Sequence, residues 1–232
     1  SFNQILENHV DISAELLKKF KPLQYFDEYL QQGSYPFIIE SKDDYHEKLL
    51  NVLSTVLETD LPAIHHIDFA SILKMKKLLM VLPDFVPYTP NIQKLASITG
   101  ISRDSLLKYL YYLNKAKIVK HLTKNAHGIN FLNKPEKLFL HNTNLMYALS
   151  SEKPNRGKLR ETFFFNQVTA MQTVTYPAKA DFLVNEKYLF EVGGKNKTQK
   201  QIAKSKHAYI VKDDIEYGYG NIIPLWLFGL MY

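Results

Sequence analysis

Residues 180–197, "ADFLVNEKYLFEVGGKNK", constrain the fold more than any other stretch of the chain. Two short apolar runs flank the polar segment Asn185-Glu186-Lys187, a pattern that predicts two antiparallel strands joined by a hairpin turn. The segments "GKLRETFFFNQVTAMQ" before the hairpin and "KTQKQIAKS" after it favour helices, and "HAYIVKDD" favours another strand. Strands interspersed with helices predict a mixed α/β domain over residues 141–232, with a central sheet covered on both faces.

Two carboxylates of this hairpin point to a metal site. Asp181 and Glu191 are equidistant from a turn near residue 186, so antiparallel pairing places them opposite each other. Neighbouring carboxylates repel each other unless a cation or a basic group compensates them. Carboxylate oxygens are also the ligands that Mg²⁺ prefers. Glu161, on the helix before the hairpin, is the candidate third ligand of a Mg²⁺ site.

The first part of the chain, residues 1–84, predicts helices. The stretch "ISAELLKKFKPLQYFDEYLQQGSYPF" has apolar positions at helical spacing and closes at Gly33 and Pro36. The stretch "YHEKLLNVLSTVLETDLPAI" has one broad apolar face that lasts until Pro62, and "FASILKMKKLLMVLPDF" predicts another helix that stops at Pro83.

Residues 85–140 predict a winged helix-turn-helix. A helix over 92–98, a turn at 99–101 and a second helix from Arg103 to about Lys115, with Ser102 as its N-cap, give the two-helix core. "KIVKHL" alternates like a strand, and "GINFLNKPEKLFLH" can return beside it as the wing. The apolar positions expected to hold the two helices together are Leu95, Ile98, Ile101, Leu106, Leu107 and Leu110.

The charge of this middle region favours a polyanion as partner. Residues 103–137 carry eight lysines and arginines against two acidic residues, whereas residues 1–80 carry eight against twelve. In DNA-binding helix-turn-helix proteins the early residues of the second helix meet base edges. The candidate DNA-binding residues are Arg103, Ser105, Lys108, Lys120 and Lys124. The alternative is a solvated lysine-rich face on a fold that contacts only protein.

Composition excludes several classes of function. There is no cysteine, so there is no disulfide, thiolate metal site or thiol nucleophile, and a cytoplasmic location is expected. No uncharged apolar run is long enough to span a membrane, so no membrane partner is expected. The chain opens Ser-Phe-Asn rather than with methionine, which predicts a processed or excised piece of a longer protein.

Several segments in order resemble one known group of proteins. "EKLFLHNTNLMYALS", "GKLRETFFFNQV", "ADFLV" and "LFEVGGKNKTQKQI" resemble the C-terminal domain of unknown function in a large family of prokaryotic AAA-type ATPases. "FDEYLQQGSYPF" and "LLNVLSTVLETDLP" resemble that family's helical lid region and the segment after it. The resemblance implies a lid-like region at 1–84, a winged helix at 85–140 and a restriction-endonuclease-like domain of the PD-(D/E)XK class at 141–232.

The resemblance also implies roles for individual residues. Glu161, Asp181 and Glu191 match the acidic residues of the nuclease pattern, but Gly193 stands where the motif lysine is expected. Lys195 is then the candidate catalytic lysine, and lysines from a neighbouring helix can also supply the charge, namely Lys197, Lys200 and Lys204. No G-x-x-x-x-G-K-[ST] motif occurs in the chain, so ATP is expected only in the absent upstream domain.

Three hypotheses stay open at this point. The first is the recognition and effector part of an AAA-type ATPase, which binds DNA or a protein partner and its own ATPase core, with an inactive nuclease-like domain. A second hypothesis is a Mg²⁺-dependent DNA endonuclease. The third is a purely structural protein-interaction module.

Overall fold

The computed structural model describes residues 1–124, 134–197 and 206–231, which form two compact units. The helical unit comprises Gln31–Thr123 and His127–Pro154. The sheet unit comprises Ser1–Leu30, Lys124–Ala126 and Asn155–Tyr232. The protein is of mixed α and β structure, as the sequence predicts. The predicted division at residues 84 and 140 stays a prediction.

The helices before residue 124 follow the apolar spacing of the sequence. α1 and α2, the first two, are Phe2–Leu17 and Pro22–Gln32, and a short 3-10 turn follows at Pro36–Ile39. The next helices are α3 (Tyr45–Thr55), which continues through a π turn at Val56–Asp60 into α4 (Leu61–His65), and α5 (Phe69–Phe85). The region predicted to form a helix-turn-helix holds α6 (Ile92–Thr99) and α7 (Arg103–Lys115).

Pro62 and Pro83, which were expected to end helices, both lie inside helical segments, so those two predicted ends are wrong. Pro62 occupies the first turn of α4, directly after the π turn that joins α3 to α4. Pro83 lies in the last turn of α5, and the helix continues to Phe85 with the Val86 N–H donating to the Leu82 carbonyl. A proline so close to a helix end disturbs few bonds that the helix still needs.

The helical unit ends in a small sheet and one further helix. β1 (Val119–Leu122) pairs antiparallel with β2 (Lys137–Leu140), and α8 is Thr143–Leu149. The predicted turn between α6 and α7 is confirmed, with Gly100 at a φ of 67°, a conformation that glycine adopts without strain. Of the six apolar positions predicted to lock these helices, five are buried, but Ile98 is 44% exposed, so its assignment to the core is wrong.

The sheet unit is built on one mixed sheet behind a buried helix. α9 (Arg156–Val168) precedes five strands: β3 (Val174–Thr175), β4 (Phe182–Val184), β5 (Tyr188–Gly193), β6 (Ala208–Lys212) and β7 (Ile222–Pro224). They are ordered β3-β4-β5-β6-β7, antiparallel up to β5 and parallel from β5 to β7. A 3-10 segment, Leu225–Leu230, closes the unit. The predicted helix "KTQKQIAKS", with Lys200 and Lys204, falls largely outside the described residues.

Aromatic packing holds α9 and the 3-10 segment against the sheet. The Phe164 ring lies 5.0 Å from that of Phe190 on β5 and 4.8 Å from that of Phe228, between ring centroids. All three side chains are fully buried. The "TFFF" run of α9 is therefore core, and Glu161, the residue directly before it, is half-buried.

Candidate carboxylate and lysine site

The β4–β5 hairpin aligns the two predicted carboxylates. Asn185 and Glu186 both have positive φ, which allows a tight turn, and asparagine tolerates that conformation well. Phe182 pairs with Phe190, Leu183 with Leu189 and Val184 with Tyr188, and Asp181 and Glu191 each lie one residue beyond the first of these pairs. The predicted hairpin and its register are therefore confirmed.

Hydrogen bonds to the neighbouring strand fix Asp181. Its backbone N–H donates to the Phe190 carbonyl at 3.0 Å, and its Oδ2 accepts from the Val192 N–H at 2.8 Å. A carboxylate held by a backbone N–H keeps one orientation. The side chain of Asp181 therefore lies beside β5 at Val192, the residue that follows Glu191.

The cation at these carboxylates is Lys197. Its Nζ lies 2.6 Å from Glu191 Oε2 and 3.8 Å from Asp181 Oδ2. Burial acts to lower the pKa of Lys197, but the close contact with Glu191 and the charges of Asp181, Glu191 and Glu161 outweigh it and raise the pKa above its usual value. Lys197 is thus a permanent cation at neutral pH, and four charged groups interact at one end of the sheet.

Gly193 makes room for the stem of Lys197. A Cβ at Gly193 would stand 2.7 to 2.8 Å from the Cβ, Cγ and Cδ atoms of Lys197, which is far inside normal contact distance. The aliphatic part of Lys197 therefore fills the space that a side chain at position 193 would occupy. Lys195, the predicted catalytic lysine, is exposed, and its carbonyl accepts a hydrogen bond from Lys212 Nζ at 2.9 Å.

The buried oxygens of Glu191 are compatible with a bound cation. The Glu191 side chain is 2% exposed, and within the described residues its Oε1 has no hydrogen-bond partner. A buried acceptor of this kind costs free energy unless a cation or donor satisfies it. Across residues 1–124, 134–197 and 206–231, no three His, Asp or Glu side chains converge closely enough to hold a metal ion. The metal set Glu161, Asp181 and Glu191 stays a prediction.

A second charged cluster lies at the ends of β5 and β6, and sequence reasoning missed it. Asp213 is buried, and its Oδ2 accepts from Arg156 Nε at 2.6 Å and from Arg160 Nε at 2.8 Å. Asp214 lies 3.1 Å from Arg160 Nη2. The Asp213 N–H donates to the Gly193 carbonyl at 2.9 Å, which connects this cluster to the carboxylate strand. The only sequence signal was the pair of aspartates that directly follows a strand.

The start of α7 has the predicted cap and two exposed cations. Ser102 Oγ accepts from the Ser105 N–H at 3.3 Å and donates to Ser105 Oγ at 2.9 Å, so Ser102 is the N-cap as predicted. The Arg103 side chain is 66% exposed and lies 3.8 Å from Asp104. Lys108 Nζ lies 5.7 Å from the ring centroid of Tyr112. Arg103 and Ser105 thus share one helix end, with Lys108 one turn further along.

An open cleft lies beside this helix start. It encloses about 420 Å³ and is lined by both Arg103 and Lys134 together with the N-terminal residues of α6, including Asn91 and Gln93. Its lining is polar and basic. An elongated anion is the kind of ligand that such a surface attracts.

Lys120 and Lys124 differ in their surroundings. Burial, with a contribution from the nearby charge of Lys117, lowers the pKa of Lys120 to about 7. A lysine that is partly neutral at pH 7 is a weak phosphate contact. Lys124 is exposed.

The comparisons with known proteins identify a family and no function. Residues 23–156 match a domain of unknown function, DUF8612. The chain belongs to that family. The match covers the helical unit and ends at the first residue of α9, so the carboxylates and Lys197 lie beyond it. No curated protein and no solved structure matches the chain.

Within residues 1–124, 134–197 and 206–231, every helix is too short or too polar to cross a membrane.

Proposed function

We propose that the sheet unit is a Mg²⁺-dependent nuclease-like domain that acts on the phosphodiester backbone of DNA. The observation that carries the proposal is the position of Lys197. It fills the space beside Gly193 and brings its ammonium group within 4 Å of both Asp181 and Glu191. In this proposal Lys197 takes the place of the motif lysine that is missing at Gly193, four residues earlier in the chain.

The architecture of the sheet unit supports the same proposal. A helix carrying Glu161 precedes an antiparallel hairpin, and the second hairpin strand then pairs parallel with β6. This agrees with the sheet-centred α/β domain that the resemblance to PD-(D/E)XK nucleases implies. The proposal also includes the larger context of that resemblance, in which this chain is the C-terminal effector part of an AAA-type ATPase and contacts its own ATPase core.

The side chains divide the chemistry among them. Asp181 and Glu191, with Glu161 as a third group, would hold Mg²⁺, which would supply a Lewis acid at the phosphate. Lys197 stays protonated because its pKa is raised, so it serves as a fixed positive charge rather than as a base. A fixed cation stabilises the negative charge that develops on the phosphate oxygens and orients the attacking water.

The test is cleavage of fluorescently labelled duplex and single-stranded DNA with Mg²⁺. Asp181→Asn removes a ligand charge, and Lys197→Met removes the ammonium while keeping the stem over Gly193. Both variants are expected to lower the cleavage rate by about 10² or more, in line with the loss of a single group that stabilises a transition state. Lys195→Met is the matched control and should cleave like wild type. Equal activity in wild type and Asp181→Asn would contradict the proposal.

The second candidate is a recognition module without cleavage. The Lys197–Glu191 contact favours it as well, because an internal lysine can compensate the carboxylates in place of a metal. In that case the nuclease-like domain serves for docking. It predicts a folded wild-type protein that neither cleaves DNA nor binds Mn²⁺, with Lys197→Met less stable than wild type.

In either case we propose that the helical unit contacts DNA as a winged helix. The support is the two-helix core with its Ser102 cap, the β1–β2 pair in the place of a wing, and the exposed Arg103 beside a basic cleft. Arg103→Ala and Lys108→Ala should each weaken DNA binding and reduce its salt dependence, as measured by fluorescence anisotropy. Lys74→Ala, on the exposed side of α5, is the matched control. Binding that ignores both substitutions would favour a protein partner for this surface.

A further inference from the structure

The sheet unit contains an apolar recess that the proposed chemistry does not use. It encloses about 180 Å³ and is lined mainly by aromatic side chains, namely Phe20, Tyr25, Phe26, Tyr29, Trp226 and also Leu230. An engineered apolar cavity of about 150 Å³ holds a benzene molecule. The recess therefore has room for one aromatic ring or one branched aliphatic side chain.

Large apolar groups stand exposed at its mouth. Phe20 is 37% exposed, Tyr25 is 59% exposed and Leu230 is 45% exposed. Exposed apolar groups gathered around a recess mark binding sites more often than groups scattered singly do.

Two polar groups of the lining, on Trp226 and Tyr29, are already engaged. Trp226 Nε1 donates to the Glu216 carbonyl at 3.3 Å, and Gln167 Nε2 donates to Tyr29 Oη at 3.0 Å. The recess thus offers few free hydrogen-bonding groups to a ligand. It selects by shape and apolar contact.

Basic residues flank Phe20, which lines the recess, while two acidic residues of the same stretch are paired, Glu15 with Lys19 and Asp27 with Arg156. Lys18, Lys19 and Lys21 are exposed and flank Phe20 in the sequence. Lys19 pairs with Glu15 at 3.2 Å, whereas Lys18 and Lys21 form no ion pair with any described residue. The occupant that complements this surface carries negative charges around one apolar group.

We infer that this recess binds an acidic peptide segment of a partner protein, which inserts one bulky apolar side chain between Phe20, Tyr25 and Trp226. A buried anchor surrounded by charged contacts is a common arrangement of protein interfaces. Single-stranded DNA fits less well. Bases stack on open aromatic faces along a basic groove, whereas this surface offers an enclosed recess.

The test uses the whole chain and a fluorescein-labelled heptapeptide with one phenylalanine at the centre of six acidic residues, with binding followed by anisotropy. The same peptide with alanine at the centre should bind about tenfold more weakly or worse. Phe20→Ala and Tyr25→Ala should cause a loss of similar size, and Lys18→Glu with Lys21→Glu should weaken binding further. Phe69→Ala and Lys74→Glu, exposed positions in the helical unit, are the matched controls.

Three results would overturn the inference. They are no binding of the phenylalanine peptide up to millimolar concentration, equal binding of the two peptides, and binding that the recess substitutions leave unchanged. A single-stranded oligonucleotide that binds more tightly than the peptide, and loses that binding in Phe20→Ala, would assign the recess to nucleic acid instead. Peptide anisotropy involves neither metal nor DNA cleavage, so its result is independent of the test of the nuclease-like site.

Discussion

Replacing Lys197 with methionine isolates the charge at the centre of the site. Methionine keeps an unbranched stem beside Gly193, so the packing there is retained while the ammonium is lost. The Glu191 side chain is 2% exposed and that of Lys197 is 31% exposed. Exposed ion pairs contribute about 0–1 kcal/mol, whereas breaking a buried pair costs about 3–5 kcal/mol. The Lys197–Glu191 pair is half-buried and so lies between these two cases. We expect Lys197→Met to lower the free energy of unfolding by about 2–3 kcal/mol at pH 7.

The pH dependence of this loss has a definite sign. The pKa of Lys197 in the folded protein is raised above its ordinary value of 10.5. A lysine with a raised pKa contributes stability that is fully present below pH 10.5 and declines as the pH rises through the folded value. Wild type should therefore lose stability above pH 10.5 more steeply than Lys197→Met does.

Urea unfolding with linear extrapolation measures the free energy of unfolding. Lys195→Met, at an exposed lysine two residues away, should change it by less than about 0.5 kcal/mol. Glu191→Gln, alone and combined with Lys197→Met, completes a double-mutant cycle, and the two losses should be strongly non-additive. A loss for Lys197→Met no larger than that for Lys195→Met would refute the assignment of Lys197 as the compensating cation.

Four further substitutions test other parts of the structure. Gly193→Ala should destabilise the protein by about 1–3 kcal/mol in urea unfolding, because its methyl group overlaps the stem of Lys197; unchanged stability would contradict that packing. Asp213→Asn should cost about 3 kcal/mol or more because two arginines lose a buried carboxylate, while Asp214→Asn, at a mostly exposed side chain, should cost far less; equal losses would be inconsistent with the cluster. Ser102→Ala should cost about 1 kcal/mol as a lost N-cap, and retained stability would argue against the cap.

Local patterns of the sequence predicted several elements with close bounds. The turn at Gly100, the Ser102 cap and the extent of α7 follow from capping and helical spacing, which act within a few residues. The hairpin register follows from counting outward from the turn. The helix ends predicted at Pro62 and Pro83 were wrong because a proline near a helix end does not have to stop the helix. The burial predicted for Ile98 was wrong because helical spacing alone does not show how much of a helix face is covered.

The arrangement around Lys197 lay beyond such rules. It depends on the path of the chain after Gly193-Gly194, which places Lys197 next to Glu191. The alternation of side chains along a strand does not apply beyond the end of β5, so it could not predict this contact. Lys197 was one of several lysines predicted to supply the charge, whereas Lys195 was the predicted catalytic lysine. Asp213 was missed for a related reason: its partners lie on α9, more than fifty residues earlier, and nothing in the spacing connects them.

The measurement that tests the proposed metal-dependent site most directly is a calorimetric titration of Mn²⁺, as a surrogate for Mg²⁺, into wild type, Asp181→Asn and Lys195→Met. The account predicts binding by wild type and by Lys195→Met, and its loss in Asp181→Asn while the circular dichroism spectrum stays unchanged. A folded wild-type protein that binds no Mn²⁺, or an Asp181→Asn variant that binds it as tightly as wild type, would contradict the account.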